Sequence, residues 1–131
     1  MPMSFNGVSA APLPRVVAVV DDDPGMLKAM RELLRVLDYD TELYVSGETF
    51  ISSAAASQAS CLLVDVQLGG MSGIELRRRL AASGFARPFI FMTGSDSTII
   101  LKEALNAGCV ALLRKPFSAS LLKDAIDKAL D

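Results

Sequence analysis

Four apolar runs in this chain end in residues that could together move a phosphoryl group. Asp21-Asp22-Asp23 closes the run 16–20, Asp65 follows 61–64, Thr93 follows 88–92, and Lys115-Pro116 ends the run that starts at Val110. Carboxylates gathered this closely repel, so at least one binds its proton more tightly than usual unless a cation sits among them. Mg²⁺ prefers oxygen ligands and keeps several waters, so two carboxylates and one backbone carbonyl suffice to hold it. An aspartate can then act as the nucleophile and form an aspartyl phosphate. The charge spread over the phosphoryl oxygens would be met by the cation, a lysine ammonium and a threonine hydroxyl. Each residue also has a plain structural reading: Asp23 as a helix cap, Thr93 as a β-former, Lys115 as a solvated loop lysine. Their recurrence on successive strand ends favours the chemical one.

The elements that must position these groups can be read from texture. The runs 16–20, 61–64, 88–92 and 110–113 are continuous rather than alternating, as expected for parallel strands covered on both faces. Residues 41–45 alternate and suit an edge strand. Between them, Met26, Leu27, Met30, Leu33, Leu34 and Leu37 recur at helical spacing, with Asp23 as cap and Pro24 in the first turn. Ser46 can cap a second helix, and Ser72-Gly73-Ile74-Glu75 matches a capping box for a third. Ile99, Ile100, Ala104 and Leu105 mark a fourth, stopped by Gly108, and the pattern from Leu121 to Leu130 marks the last. Five strand–helix units mean an open parallel sheet with right-handed crossovers, in which ligands bind beyond the carboxyl ends of the strands.

Composition narrows the function further. The length of 131 residues suggests one domain, and an apolar share of 51% is enough to build a core. Residues 1–14 carry three prolines and no periodicity and read as a disordered leader before a domain over 15–131. They have neither an early positive cluster nor an apolar targeting core, and no run approaches a membrane span. The absence of histidine excludes His-based triads, His metal sites and phosphohistidine on this chain. The two cysteines, Cys61 and Cys109, are too few for a disulfide framework or zinc site and read as reduced, buried thiols of a cytoplasmic protein. A net charge of −2 gives no footprint for nucleic acid.

The stretches VAVVDDDPGM, CLLVDVQLGGMSGIEL, FIFMTGSD and LLRKPF, in this order and spacing, resemble the receiver domain of two-component response regulators, most of all its FixJ-type branch. The likeness covers residues 15 to 130. It implies a doubly wound α/β fold: a flavodoxin-like three-layer sandwich with strand order 2-1-3-4-5 and five flanking helices. It implies that Asp65 is the phosphoacceptor, taking a phosphoryl group from a histidine kinase or a phosphotransfer protein. It implies that Mg²⁺, with Mn²⁺ as a substitute, is held by Asp22, Asp65 and the Gln67 carbonyl, with Asp21 acting through water. Thr93 matches the switch hydroxyl, and Lys115, before a cis proline bond, the lysine that contacts the phosphoryl group. Such a domain is a stoichiometric acceptor rather than an enzyme. It switches partner contacts, including a homodimer through helix four, strand five and helix five, either alone or as part of a transcription factor. Two positions depart from the family pattern. Gly69 replaces the usual Pro, which is expected to loosen that loop, and Leu112 replaces the usual Tyr or Phe.

Two other readings fit parts of the pattern. Asp21-x-Asp23 followed by Thr93 and Lys115 mimics a haloacid-dehalogenase-like phosphatase, but that reading leaves Asp65 without a role. A pseudo-receiver, a binding module of the same fold that is not phosphorylated, typically lacks the acceptor, acidic pair or lysine, all present here.

Overall fold

The computed structural model describes residues 15–131; the expected leader over 1–14 lies outside the described residues. Five strands, β1 (Arg15–Val20), β2 (Tyr39–Tyr44), β3 (Cys61–Asp65), β4 (Phe89–Thr93) and β5 (Ala111–Arg114), alternate with helices. These are α1 (Pro24–Val36), α2 (Gly47–Ser53), α3 (Gly73–Ala82), α4 (Thr98–Ala107) and α5 (Ala119–Leu130). The strands form one parallel sheet in the order β2-β1-β3-β4-β5. The expected fold class and order are thus observed.

Alternation of side chains along each strand divides the core in two. Ala18, Val20, Leu62, Val64, Phe89 and Phe91 face one way and meet Phe50 of α2, Leu76 and Leu80 of α3 and Ala104 of α4. Val17, Val19, Leu63, Ile90 and Met92 face the other way and meet Leu27, Met30 and Leu34 of α1 and Leu122, Ala125 and Ile126 of α5. This two-sided burial is why the central strands are apolar throughout.

Helix starts follow the local chemistry. Asp23 caps α1 by accepting from the Gly25 amide at 2.9 Å, and Ser46 and Thr49 form a complete capping box on α2. The box expected at α3 is only half made. Ser72 accepts from the Glu75 amide at 3.1 Å, but the Glu75 carboxylate instead pairs with Arg79, one turn on. Gly108, at φ 91°, ends α4 in a conformation that suits glycine.

Some expectations need correction. The edge strand begins at Tyr39, two residues earlier than expected, and Val45 lies beyond its end and exposed. Ile99 and Leu105 fit the helical pattern of α4, yet they are 72% and 58% exposed, and Ala104 is the buried residue of that helix. A short amphipathic helix lies on the sheet along a narrow stripe, and these two side chains fall outside it. Cys61 is buried, and burial pushes its thiol up to about 11, whereas Cys109 is only half-buried.

Glu42 ties the edge strand to the chain entering β3. Its carboxylate accepts from the Ser57 hydroxyl at 2.6 Å, the Tyr44 hydroxyl at 2.9 Å and the Gln58 amide at 2.9 Å. Burial pushes its pKa up, but these donors and the Arg87 charge outweigh burial and leave it below the ordinary 4.5. A carboxylate held lower in the folded chain stabilises the fold above its unfolded pKa, and that contribution disappears as pH falls through the folded value. Glu42→Gln should therefore cost about 1–2 kcal/mol at neutral pH. The gap to the parent should close as pH is lowered from 4.5. Urea midpoints from circular dichroism across that range check this; a gap independent of pH would contradict it.

Candidate functional site at the carboxyl rim of the sheet

The strand register assembles the site. Val20 pairs with Val64 and Asp65 pairs with Met92, so Asp21 lies beside Asp65 and Thr93 stands one step beyond it on the next strand. Thr93 in turn pairs with Arg114, which puts Lys115 at the same rim. β1 and β3 are neighbours whose crossovers leave in opposite directions along the sheet. Their carboxyl ends therefore flank the crevice at the switch point of an open α/β sheet.

Asp21, Asp22 and Asp65 present carboxylate oxygens within 4.8 Å of one another. Asp21 and Asp65 are buried, whereas Asp22 is exposed. The Lys115 ammonium donates to Asp65 Oδ2 at 2.8 Å and to Asp21 Oδ2 at 2.9 Å. The remaining oxygens of the buried pair are also engaged: Asp21 Oδ1 accepts from the Asp23 amide at 2.9 Å, and Asp65 Oδ1 from the Gln67 amide at 2.8 Å. The Lys115-Pro116 bond is cis, as the resemblance implies.

The titration shifts follow from this geometry. Burial pushes the Asp21 carboxyl up and the neighbouring Asp65 charge adds to it; the Asp23 amide and Lys115 pull the other way without cancelling it. Burial alone would lower Lys115, but its bonds to Asp65 and Asp21 outweigh that and hold it above its ordinary value. The ammonium is the cation that the crowded acids require, and it stays charged. Three carboxylates against one ammonium still leave an excess of negative charge. That excess, with an exposed aspartate at its edge, fits a hard divalent cation.

Thr93 is fully buried, and its hydroxyl oxygen accepts from the Ser95 amide at 3.0 Å, which folds the start of the next loop back onto the strand end. Asp23 is engaged in capping α1 and stands outside the carboxylate cluster. Leu112 is half-buried against the core face of Phe89 and Phe91.

In the loop after β3, the Gly69 amide donates to Asp22 Oδ2 at 3.0 Å, a bond that proline cannot make. The Met71 amide reaches Glu48 of α2 at 3.4 Å. Neither contact has a sequence signal, since backbone amides are donors at every residue but proline. An exposed ion pair between Arg114 and Asp96, linking the end of β5 to the loop after Thr93, was likewise not foreseen.

A family model described as the response regulator receiver domain matches residues 17–127. Response regulator protein TodT of Pseudomonas putida is 33% identical over 115 residues, which are 88% of this chain and 51% of that protein. Nodulation protein W of Bradyrhizobium diazoefficiens is 31% identical over 126 residues, 96% of this chain and 56% of that protein. The chain thus spans about half the length of the curated relatives it matches. Among solved structures, FixJ-N superposes with a TM-score of 0.84 at 28% identity, covering 91% of this chain and 95% of that one. Response regulator StyR gives 0.80 at 35% identity over 90% of this chain and 60% of that one. With a match this extensive, and with the acids, hydroxyl and lysine converging on one rim of the sheet, the chain belongs to the response regulator receiver domain family.

Proposed function

We propose that Asp65 accepts a phosphoryl group from the phosphohistidine of a histidine kinase or phosphotransfer protein, in a reaction that needs Mg²⁺ or Mn²⁺. The observation that carries this reading is the Lys115 ammonium bonded at once to Asp65 and Asp21 inside a three-carboxylate cluster. An Asp65 oxygen attacks phosphorus, the acyl–O–P bond forms, and the P–N bond breaks with its electron pair leaving on the imidazole nitrogen. Lys115 and the Thr93 hydroxyl, which can donate its own proton while accepting from Ser95, stabilise the phosphoryl oxygens. The cation would be held by Asp22, Asp65 and the Gln67 carbonyl, with Asp21 acting through water; when bound it neutralises charge between acceptor and donor.

The chain is a stoichiometric acceptor. Phosphorylation reorders the loop from Thr93 to Ser97, which bears on α4. Ile99 and Leu105 on α4 and Leu121 on α5 are exposed apolar side chains, and they support a partner surface, including a homodimer, formed by α4, β5 and α5. No helix among the described residues is long and apolar enough to cross a membrane. A cytoplasmic location, no direct contact of this chain with nucleic acid, and action either alone or as the receiver part of a transcription factor complete the reading.

The test is incubation with acetyl phosphate or a phosphorylated kinase. One phosphoryl group per chain, abolished by EDTA and released by hydroxylamine, is expected. Repeated phosphoester hydrolysis would instead favour the dehalogenase-like reading. No incorporation from any donor would favour the pseudo-receiver.

A further inference from the structure

Building on this proposed function, we infer that the backbone amide of Gly69 is a positioning group for the divalent cation, acting through Asp22. Asp22 is the exposed member of the carboxylate cluster, on a side chain that exposure alone would leave free to rotate. The buried members are each fixed by a backbone amide and by Lys115, but Asp22 receives neither kind of bond from its own loop among the described contacts. What reaches it is Gly69, 47 residues further along the chain, whose amide donates to Oδ2 at 3.0 Å.

The bond joins the two segments that supply cation ligands. Gln67 lies between two tethers: its own amide holds Asp65 Oδ1, and two residues later the Gly69 amide holds Asp22 Oδ2. Asp22, Asp65 and the peptide of Gln67 are thereby set in one arrangement before any cation arrives. A carboxylate has about four lone-pair sites, so a bond to Oδ2 orients Asp22 and leaves Oδ1 fully available. Outer partners that orient a metal ligand commonly change affinity by about 10–100-fold when removed.

Two substitutions separate the amide from everything else at this position. Gly69→Pro deletes the donor. Gly69→Ala keeps it, and the added Cβ would stand 3.5 Å from Asp22 Oδ2, an ordinary contact. Calorimetric titration with Mg²⁺ and Mn²⁺ should show affinity lowered about tenfold in Gly69→Pro and retained within about twofold in Gly69→Ala. A second measurement avoids proline. Hydrogen exchange at the Gly69 amide, in metal-free buffer, should quicken about tenfold in Asp22→Ala if the carboxylate is its acceptor. Exchange unchanged by Asp22→Ala, or Gly69→Pro binding as tightly as Gly69→Ala, overturns the inference. A parent chain that binds neither ion, or binds them equally well without Asp22, overturns the functional reading on which it rests.

Discussion

A chain carrying Asp65→Asn should take up no phosphoryl group under conditions where the parent takes one, and should remain as stable as the parent or become more so. Loss of uptake follows from the nucleophile: an amide oxygen carries no full charge and forms no acyl phosphate. Stability is the more informative half. Asparagine has nearly the same shape and keeps an oxygen for the Gln67 amide, so little packing is lost at a position 7% exposed, although its NH2 cannot accept from Lys115 as Asp65 Oδ2 does. What it removes is one of three mutually repelling carboxylates served by one ammonium, leaving Lys115 to Asp21. In metal-free buffer the urea midpoint should be equal or higher, and Mg²⁺ should raise it less than in the parent. Parental uptake of a hydroxylamine-sensitive phosphoryl group by the variant would move the acceptor to Asp21 or Asp22. A large fall in stability would mean that the repulsion argument is wrong.

The second large effect is expected at Gly73, the first residue of α3. Exchanging glycine for alanine in a helix ordinarily stabilises by about 1 kcal/mol. Here a Cβ would overlap the Asp65 carbonyl oxygen and lie 3.0 Å from the Val66 Cα. Both neighbours are backbone, and they are pinned by the Gly73 amide bonding the Val66 carbonyl at 3.0 Å and the Val66 amide bonding the Met92 carbonyl at 2.9 Å. No flexible side chain can yield, so either α3 moves off the sheet or the strand end carrying Asp65 shifts. We expect Gly73→Ala to destabilise by about 3 kcal/mol and to slow phosphoryl uptake in whatever fraction remains folded. Chemical unfolding with uptake measured on the same sample checks both; a stabilised Gly73→Ala chain would show that the close approach is not real.

How much of this was legible in the sequence depended on whether a feature has a local signature. The central strands were readable because burial on both faces demands unbroken apolar runs such as 61–64. The convergence of Asp21, Asp65, Thr93 and Lys115 on one rim was readable because each stands at the end of such a run. The side-chain half of the α3 capping box was not, because Glu75 had a competing partner in Arg79 that spacing alone cannot rank. The exposure of Ile99 and Leu105 was not, because helical periodicity identifies a helix without fixing how wide a stripe the sheet covers. The role of Gly73 was hidden for another reason: a glycine at a helix start reads as a weak helix former until a backbone is seen pressing on it.

The ion pair between Asp21 and Lys115 spans 94 residues of sequence. Parallel sheets are built from such distant pairings, which form late because chain closure must precede the contacts that reward it. During synthesis Asp65 and its acidic neighbours emerge well before the Lys115 ammonium that bridges them. Until β5 docks beside β4, the chain holds three aspartates with no lysine among them and no ordered surface on β5 for a partner to read. On the proposed function, competence to accept a phosphoryl group is then coupled to completion of folding, because Lys115 reaches Asp65 and Asp21 only once β5 is in place.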